Sequence, residues 1–465
     1  LEVASLNELP LPASIANLVV SDSALVDGKC PGAAREVYRV LKPGGGIAYM
    51  GQPANAANKL RRDALDAWLR TIPGNAMTDI SSRNGIWARL AKPAPAGIGV
   101  WSHQYGTPGN TAFGGETLAG ATCTDDLEVQ WVGRPGPRYQ ADRQVRKPSP
   151  LAVNGRLFMQ GLERFIAADC HNGEILWTIE APGSSRFNMP RDASNYCADD
   201  DFLYLAVGDK CLKLKADTGA PAKVFDLVHA PGTNRESSWS YVASHRNMLI
   251  GSSTRTGSAF TGFWGAAAWF DSQGGWDTAK ICSDNLFAVD KTSGAVAWRH
   301  AGGVIINTTI AIGGDRICFV ECRNDKIRQL AGRVVAADEL WRDQFLVALD
   351  VNTGGKLWER AIRQPWPGRV MYSLACAGEK LVLCSSGGNM FHVYGFDAAD
   401  GKEAWETALP WSSNHHGGHM SRPGIVGNTV FVKPAAIDLR SGARLKDMPA
   451  GGGCGSYACS TDAVF

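Results

Sequence analysis

The sequence predicts a mainly β chain built from repeated four-stranded sheets and preceded by a shorter α/β segment. The first observation is a recurring pattern: an apolar run, an Asp, a polar turn that ends in Gly, then an apolar pair and usually a Trp. It is clearest at LFAVDKTSGAVAW (286–298), recurs at 165–177, 345–358 and 393–405, and has weaker copies at 211–225 and 436–445. The second observation is that residues 1–93 lack this pattern.

Each copy predicts strand, tight turn, strand. The Gly supplies a positive φ at little steric cost, and the nearby Asp can bond the turn backbone. The Asp positions are 169, 217, 290, 350, 397 and 438. One hairpin cannot bury its two faces alone, so the copies are expected to stack around a common axis.

This pattern resembles the pyrroloquinoline-quinone-type (PQQ-type) repeat of β-propellers. The resemblance implies that the Gly and Trp of neighbouring copies dock one blade on the next. It also implies a propeller of about seven or eight blades over residues 101–465, incomplete at its C-terminal end. The segment WSHQYGTPGNTAF (101–113) looks like an opening blade segment, and residues 252–284 are interpreted as an insertion that shapes a mouth.

Bulk composition excludes several classes. A net charge of +2 over 465 residues gives no case for nucleic acid. No apolar run is long enough for a membrane span. The twelve Cys contain no CxxC pair and several lie in apolar runs, which favours buried thiols over a disulfide framework. A chain that starts at Leu1 and ends at Phe465 inside patterned sequence is interpreted as a fragment.

Residues 1–93 indicate strand, helix, strand, helix and hairpin. The run 16–22 is continuous and apolar, which is typical of a strand buried on both faces. Residues 33–53 predict a helix stopped at PGG and then a strand, and 55–69 predict an amphipathic helix. Asn84-Gly85 predicts a hairpin between 76–82 and 86–91.

Two stretches here, LPLPASIANLVVSD (9–22) and EVYRVLKPGGGIAYM (36–50), resemble the C-terminal half of a class I S-adenosylmethionine-dependent methyltransferase. The resemblance implies a partial domain over 1–93 closed by an antiparallel hairpin, with 94–100 as linker. The family's Gly-rich cofactor loop would precede Leu1. We therefore expect S-adenosylmethionine binding and methyl transfer only from a full-length parent. Asp22 and Ser23 are the cofactor-binding candidates that remain, and the alternative is that Asp22 caps the next helix.

The stretch SNHHGGHMSRP (413–423) is the candidate metal site. His415, His416 and His419 lie in one Gly-containing loop, and clustered imidazoles suit Zn or Cu. The alternatives are a polar loop of hydrogen-bonded histidines and general-base chemistry.

Polar residues also precede predicted inner strands in two neighbouring repeats, and these are the candidate ligands at the propeller mouth. They are Arg191, Asp192 and Asn195, followed by Arg235, Glu236 and Trp239. The alternative is that they only tie their loops in place.

Three functions follow as hypotheses. The first is a docking platform for a protein or small molecule at the propeller face, fused to a methyltransferase in the parent. The second is a PQQ-dependent oxidoreductase. Its family resemblance implies an adjacent Cys pair and a Ca²⁺ held by Glu, Asn and Asp, neither of which is evident here, so PQQ is not favoured. The third is a metal-dependent enzyme. Localisation stays open, since an active methyltransferase implies the cytoplasm and PQQ-type propellers the periplasm.

Overall fold

The computed structural model describes residues 7–72, 74, 76–118, 120–133, 148–187, 189–232, 235–259, 279–362, 371–387, 390–410, 422–433, 435–448, 459–461 and 464. The chain divides into two compact units. The first comprises Leu1–Ile98, Thr124–Arg134 and Asp169–Glu174, and the second the remainder. Within the described ranges, no helix has the length and apolar character needed to cross a membrane.

The first unit contains a four-stranded sheet with the order β1-β2-β4-β3. Its strands are β1 (Leu18–Val20), β2 (Ile47–Pro53), β3 (Met77–Ser81) and β4 (Gly85–Ala91). β1 is parallel to β2, whereas β4 is antiparallel to both of its neighbours. The helices are α1 (Asp22–Leu25), α2 (Ala34–Val40) and α3 (Arg62–Leu69).

One face of this sheet forms the core of the unit. Met50 and Leu90 pack there with Val37 of α2 and with Leu65 and Leu69 of α3. Burial of these side chains holds the helices on that face. The predicted hairpin is confirmed, with positive φ at the Asn84-Gly85 turn. The helix predicted over residues 55–69 is shorter than expected, since α3 begins at residue 62.

The prediction that residues 16–22 form a strand buried on both faces is wrong. Leu18 is 62% exposed and Val20 is 65% exposed. β1 lies at the edge of the sheet, and its only strand partner among the described residues is β2. An apolar run indicates that a segment favours β structure, but it does not distinguish a central strand from an edge strand.

The second unit is built from six consecutive sheets. Sheet 1 contains β5 (Leu151–Val153), β6 (Arg156–Gly161), β7 (Arg164–Asp169) and β8 (Ile175–Glu180). Sheet 2 contains β9 (Tyr196–Ala198), β10 (Phe202–Val207), β11 (Lys210–Lys215) and β12 (Pro221–Asp226). Sheet 3 contains β13 (Ser237–His245), β14 (Met248–Arg255), β16 (Asn285–Asp290) and β17 (Val296–His300).

Sheet 4 is larger, with seven strands. They are β15 (Lys280–Ser283), β18 (Val304–Ile306), β19 (Ala311–Gly313), β20 (Arg316–Cys322), β21 (Val334–Val335), β22 (Gln344–Asp350) and β23 (Lys356–Ile362). The insertion predicted at 252–284 therefore begins and ends in strands, and residues 260–278 lie outside the described ranges.

The last two sheets again have four strands each. Sheet 5 contains β24 (Met371–Ala377), β25 (Lys380–Gly387), β26 (Met390–Asp397) and β27 (Glu403–Pro410). Sheet 6 contains β28 (Gly424–Val426), β29 (Thr429–Val432), β30 (Ala435–Asp438) and β31 (Arg444–Asp447). The remaining helices are α4 (Asp325–Gln329) and the 3-10 turns Thr124–Asp126, Met189–Arg191, Asn307–Thr309 and Asp338–Trp341.

These sheets confirm a mainly β unit of four-stranded repeats, consistent with a PQQ-like β-propeller. The described residues complete six sheets, where the sequence predicted seven or eight blades. Isolated bridges join Cys459 to Phe113 and to Val464 beyond the sixth sheet.

The recurring Asp shapes the turn of each hairpin. The Asp290 carboxylate accepts hydrogen bonds from the backbone N–H of Thr292 (2.9 Å) and Ser293 (2.6 Å), and Gly294 closes the turn at φ +82°. Asp350 and Asp438 make the same bonds. These bonds stabilise the ionised form and lower the pKa of all three carboxyl groups.

The recurring Trp docks sheets 1, 3, 4 and 5 on the sheet that follows each of them, as the repeat resemblance implies. Every indole N–H donates to a backbone carbonyl of the following turn, and the ring covers that turn's Gly. The donor–acceptor pairs are Trp131 to Cys170 (3.0 Å), Trp177 to Ala216 (3.0 Å), Trp298 to Val351 (2.8 Å), Trp358 to Ala398 (3.0 Å) and Trp405 to Leu439 (3.0 Å).

The copy at 211–225 was placed out of register by the sequence pattern. Lys215, not Asp217, occupies the turn position, because Gly219 N donates to Lys215 O at 2.8 Å as Gly294 N does to Asp290 O. The turn Gly is the reliable landmark and the Asp is not. Lys223 consequently occupies the position that Trp holds in sheets 1, 3, 4 and 5 and that Lys446 holds in sheet 6.

The described cysteines are all free, and eight of them are buried: Cys197, Cys211, Cys282, Cys318, Cys322, Cys376, Cys384 and Cys459. This confirms the prediction of buried thiols for that part of the chain. Burial raises the pKa of each, so the thiols act as small apolar groups.

Replacing Gly354 with Ala should test the indole contact. A Cβ there would lie 2.6 Å from Trp298 in a turn with φ +69°. Gly314→Ala is the matched control in the same sheet, since φ is +59° and nothing lies within 4 Å. Both variants should lose about 1 kcal/mol to backbone strain. Gly354→Ala should lose a further ~2 kcal/mol from overlap, measured by chemical denaturation. Equal losses would contradict the docking role.

Candidate functional site

One segment of chain, residues 101–113, contacts all six sheets of the second unit, and we refer to it as the central segment. It was predicted to open a blade, and that prediction is wrong. It forms three isolated bridges but no regular strand, and it lies against the first strand of sheets 1, 2, 3, 5 and 6 and against β19 of sheet 4.

The contacts follow the order of the chain. Six hydrogen bonds join the central segment to sheets 1 to 6 in turn: Trp101 to Ala152 (2.9 Å), Ser102 to Ala198 (3.0 Å), His103 to Ser244 (3.1 Å), Pro108 to Ile312 (2.9 Å), Gly109 to Cys376 (2.8 Å) and Thr111 to Ile425 (2.7 Å). One strand of every sheet thus contacts the same peptide, which satisfies edge groups that would otherwise be unpaired.

The residue types of the central segment suit close approach to backbone. A Cβ on Gly109 would lie 2.7 Å from the Cys376 carbonyl oxygen, so only Gly fits. Gly106 and Asn110 take positive φ of +90° and +59°. The Asn110 amide donates to Ile310 O at 2.8 Å and Leu374 O at 3.1 Å, which joins sheet 4 to sheet 5.

The central segment leaves little space around it. The cavity beside His103 and Tyr105 has a volume of about 20 Å³, enough for about one water. Tyr196, Tyr241 and Asn307 from three sheets also line it. A bound molecule of cofactor size needs several hundred Å³. This cavity, lined by described residues, is therefore too small for a molecule of that size.

His103 is a neutral, fixed imidazole. Its Nε2 accepts from Ser244 N (3.1 Å), so Nδ1 carries the proton and donates to the Ser102 hydroxyl oxygen (2.8 Å). Burial, reinforced by the charge of Lys291, lowers the pKa of His103 to about 3. With both ring nitrogens bonded, His103 holds the central segment on sheet 3 rather than offering a base.

A polar network lies between sheets 2, 3 and 4. Arg186 donates to Asp192 at 3.1 Å and to the Trp239 carbonyl at 2.7 Å. Asn307 donates to Asp192 at 3.1 Å and to the Ser240 hydroxyl at 2.6 Å. Burial raises the pKa of Asp192, although the charge of Arg186 opposes it. The network joins three sheets through side chains that are almost completely buried.

The structure separates the candidate mouth ligands into two groups. Arg191, Asp192 and Asn195 are each at most 1% exposed. Trp239 is also fully buried, and its ring packs edge-on against Phe287 at 4.9 Å.

Two candidates of the second repeat lie elsewhere. Arg235 and Glu236 are exposed, and Arg235 donates to the carbonyls of Leu330 (3.0 Å) and Ala331 (3.2 Å). The predicted set therefore does not form one site. His415, His416 and His419 lie outside the described residues, so the metal site stays a prediction. In the part of the chain that is described, no three His, Cys, Asp or Glu side chains gather as metal ligands would.

In the first unit, Asp22 begins α1 and does not cap it. Ser21 is the cap, because its hydroxyl accepts from Ala24 N at 3.2 Å. Asp22 is exposed, and the Ser23 hydroxyl lies 3.0 Å from that of Ser21. The interpretation of Asp22 as a cap was wrong, and a cofactor role for Asp22 and Ser23 stays a prediction.

Sequence reasoning missed Arg186, Asn307 and the role of His103. Arg186 and Asn307 stand in stretches without periodicity, and no sequence signal singles them out. His103 could have been found from its neighbours, since HQYGTPGN combines Gly, Pro and Asn as an irregular segment does and a strand does not.

The oxygens of Asp192 and Asn307 already have partners within the protein. The Asp192 carboxylate is bonded to Arg186 and Asn307, and the Asn307 amide oxygen accepts from Ser283 at 2.6 Å. A Ca²⁺ held by these two residues would have to displace those bonds. The cavity beside His103, of about 20 Å³, is smaller than a tricyclic cofactor.

Comparison with known proteins agrees with the repeat pattern. A family model described as outer membrane protein assembly factor BamB matches residues 278–453. No curated protein matches the chain.

Three solved structures illustrate the likeness to other chains. BamB from Moraxella catarrhalis is 12% identical and aligns over 67% of this chain and 72% of its own, with TM-score 0.38. A europium-containing methanol dehydrogenase is 12% identical over 76% and 62%, with TM-score 0.42. The quinohemoprotein alcohol dehydrogenase of Comamonas testosteroni is 14% identical over 76% and 52%, with TM-score 0.44. This chain thus spans less than two thirds of either dehydrogenase.

Lowering the pH should destabilise the folded protein through His103. The unfolded imidazole binds a proton below about pH 6.5, whereas the folded one does so only near pH 3. Stability should therefore fall as pH drops between these values, by up to about 1.4 kcal/mol per pH unit from this residue. When unfolded at about pH 5, the His103→Gln variant should take up about one proton fewer than the natural protein. Equal uptake in the two proteins would contradict the assignment.

With the geometry, the sheet order and the family match together, residues 278–453 carry repeats of the BamB-like PQQ type, set in a unit of propeller-like sheets.

Proposed function

We propose that the second unit is a docking platform for another protein and not a quinone-dependent enzyme. The observation that supports this most directly is the central segment, which occupies the middle of the six sheets and leaves a cavity of about 20 Å³ beside it. The interior polar side chains satisfy one another across sheets. Binding then depends on the outer surfaces, as in many propellers.

The matched family supports the same direction. Its description is that of an assembly factor, which is a protein that acts through other proteins. The match covers the last two strands of sheet 3 and all of sheets 4, 5 and 6, where the Trp–Gly contacts are regular. In this proposal those sheets are the scaffold on which another protein docks.

For the first unit we propose the C-terminal half of a methyltransferase domain. Support comes from the hairpin strand β4, which lies antiparallel between β2 and β3 and closes the sheet as the family resemblance implies. In this proposal the Gly-rich cofactor loop that the family resemblance implies, and methyl transfer with it, belong to a longer parent.

Quinone addition tests the first proposal. The purified chain is mixed with pyrroloquinoline quinone and Ca²⁺, desalted, and assayed for dye reduction with alcohols and sugars beside an authentic quinoprotein. We expect no retained quinone absorbance and no dye reduction, since the described interior has no space for the cofactor. Stoichiometric retention with substrate-dependent turnover would overturn the docking proposal.

Calorimetric titration with S-adenosylmethionine tests the proposal that the first unit is half of a methyltransferase domain. The 465-residue chain should give no binding heat at about millimolar cofactor, whereas a chain extended upstream through a Gly-rich loop should bind. Asp22→Asn in the extended chain examines the predicted lip residue. Binding by the 465 residues alone would show that the cofactor site does not need that loop.

A further inference from the structure

The repeat breaks at one described junction, between sheets 2 and 3. At the other four junctions between the described sheets an indole covers the turn Gly. Here Lys223 does so, with its Cε 3.1 Å from where a Cβ of Gly294 would be. In sheets 1, 3, 4 and 5 the strand partner of Trp is Ala or Gly, whereas Lys223 is paired with Lys213. A small residue and an indole have thus been exchanged for two cations.

The two lysines take over the hydrogen bonds of the missing indole. Lys213 Nζ donates to the Lys291 carbonyl at 3.2 Å, which is the acceptor position that indoles use at other junctions. Lys223 Nζ donates to the Thr292 carbonyl at 2.6 Å. Like charges directly opposite on neighbouring strands destabilise a sheet. Natural proteins break such rules of sheet pairing mainly at functional positions.

Positive charge is in excess at this junction. Lys213 lies 3.9 Å from the centre of the Phe202 ring, and burial with nearby lysines lowers its pKa. Lys291 bonds Asp199 at 2.9 Å. Within the described ranges, neither Lys213 nor Lys223 has a carboxylate at ion-pair distance. A ligand carboxylate would supply that charge.

The junction opens on its outer side into a groove of about 590 Å³. Lys223 and Arg299 line the groove, and Val224 and Val296 expose 50% and 49% of their surface there. Its one acid, Asp226, is already paired with Lys210 at 2.6 Å. The groove therefore combines unpaired cations with exposed apolar side chains.

The opposite side of the junction has another character. A cleft of about 510 Å³ is lined by Lys213 and Lys291 but also by Asp199, Asp200 and Asp201. The two exposed acids at its rim would repel an anion. Charge complementarity therefore favours the groove as the place where an anionic partner binds.

We propose that this groove binds an acidic segment of a partner protein, whose carboxylates contact Lys223 and Arg299 while its apolar side chains cover Val224 and Val296. Lys213 strengthens the positive potential and holds the carbonyl that the absent indole leaves open. This rests on the docking function proposed above and specifies the chemistry of the partner.

Restoring the repeat provides the test. The double variant Lys213→Ala/Lys223→Trp recreates the pair found in the other sheets, so it should raise the unfolding midpoint. The probe is a fluorescent octapeptide of alternating Glu and Val, followed by anisotropy at low salt. The natural chain should bind it, more weakly as salt rises, and the double variant should bind at least about tenfold more weakly, because the Lys223 contact and the positive potential of Lys213 are lost.

Two controls separate the site from net charge and from misfolding. Lys402→Ala/Lys446→Ala removes two exposed lysines elsewhere and should change affinity by less than about threefold. The conservative Lys223→Gln should weaken binding without changing far-ultraviolet circular dichroism.

Three results would overturn the inference. They are no peptide binding by the natural chain at about 1 mM, equal binding by the restored variant, or displacement of the peptide by equimolar inorganic phosphate, which would indicate a small-anion site. None of these bears on the docking proposal itself, which quinone turnover would overturn.

Discussion

Hydrogen bonds between one internal peptide and one strand of every sheet organise the second unit. The peptide runs from Trp101 to Phe113 and gives six sheets a shared set of donors and acceptors. Without it these strands would leave backbone groups unpaired. Gly109 and the buried, neutral His103 are needed because backbone and side chain meet there at closest approach.

A second set of contacts acts at the periphery, where indole and glycine pair between adjacent sheets. Each indole both fills the space above a turn and bonds a carbonyl, so packing and polar satisfaction come from one residue. The central segment and the indoles thus make separate sets of contacts, so a junction can lose its indole and keep its contacts to the central segment. Lys213 and Lys223 replace the indole contact at one junction while the inner contacts of sheets 2 and 3, through Ser102 and His103, remain intact.

The sequence predicted what local periodicity encodes. Glycine turns, alternating strands and docking indoles were visible because each repeats with its neighbours, and the Asn84-Gly85 hairpin because its turn chemistry is specific. The central segment was not visible, since its hydrogen bonds join residues far apart and leave no period. Asp217 misled because an acid two residues from the true turn position mimics the pattern. The exposure of Leu18 depends on which strands lie beside it, which a single run does not encode.

The position of the central segment along the chain bears on how the protein folds during synthesis. It precedes every sheet that it contacts, and the Asn110 amide finds its acceptors 200 and 264 residues later. Contacts so distant give a high contact order, which slows folding because long loops must close first. Yet the segment is already made when each sheet leaves the ribosome, in the order in which its residues are used. Vectorial synthesis can therefore assemble the sheets one by one on a template, whereas refolding of the complete chain from denaturant must select among all six at once.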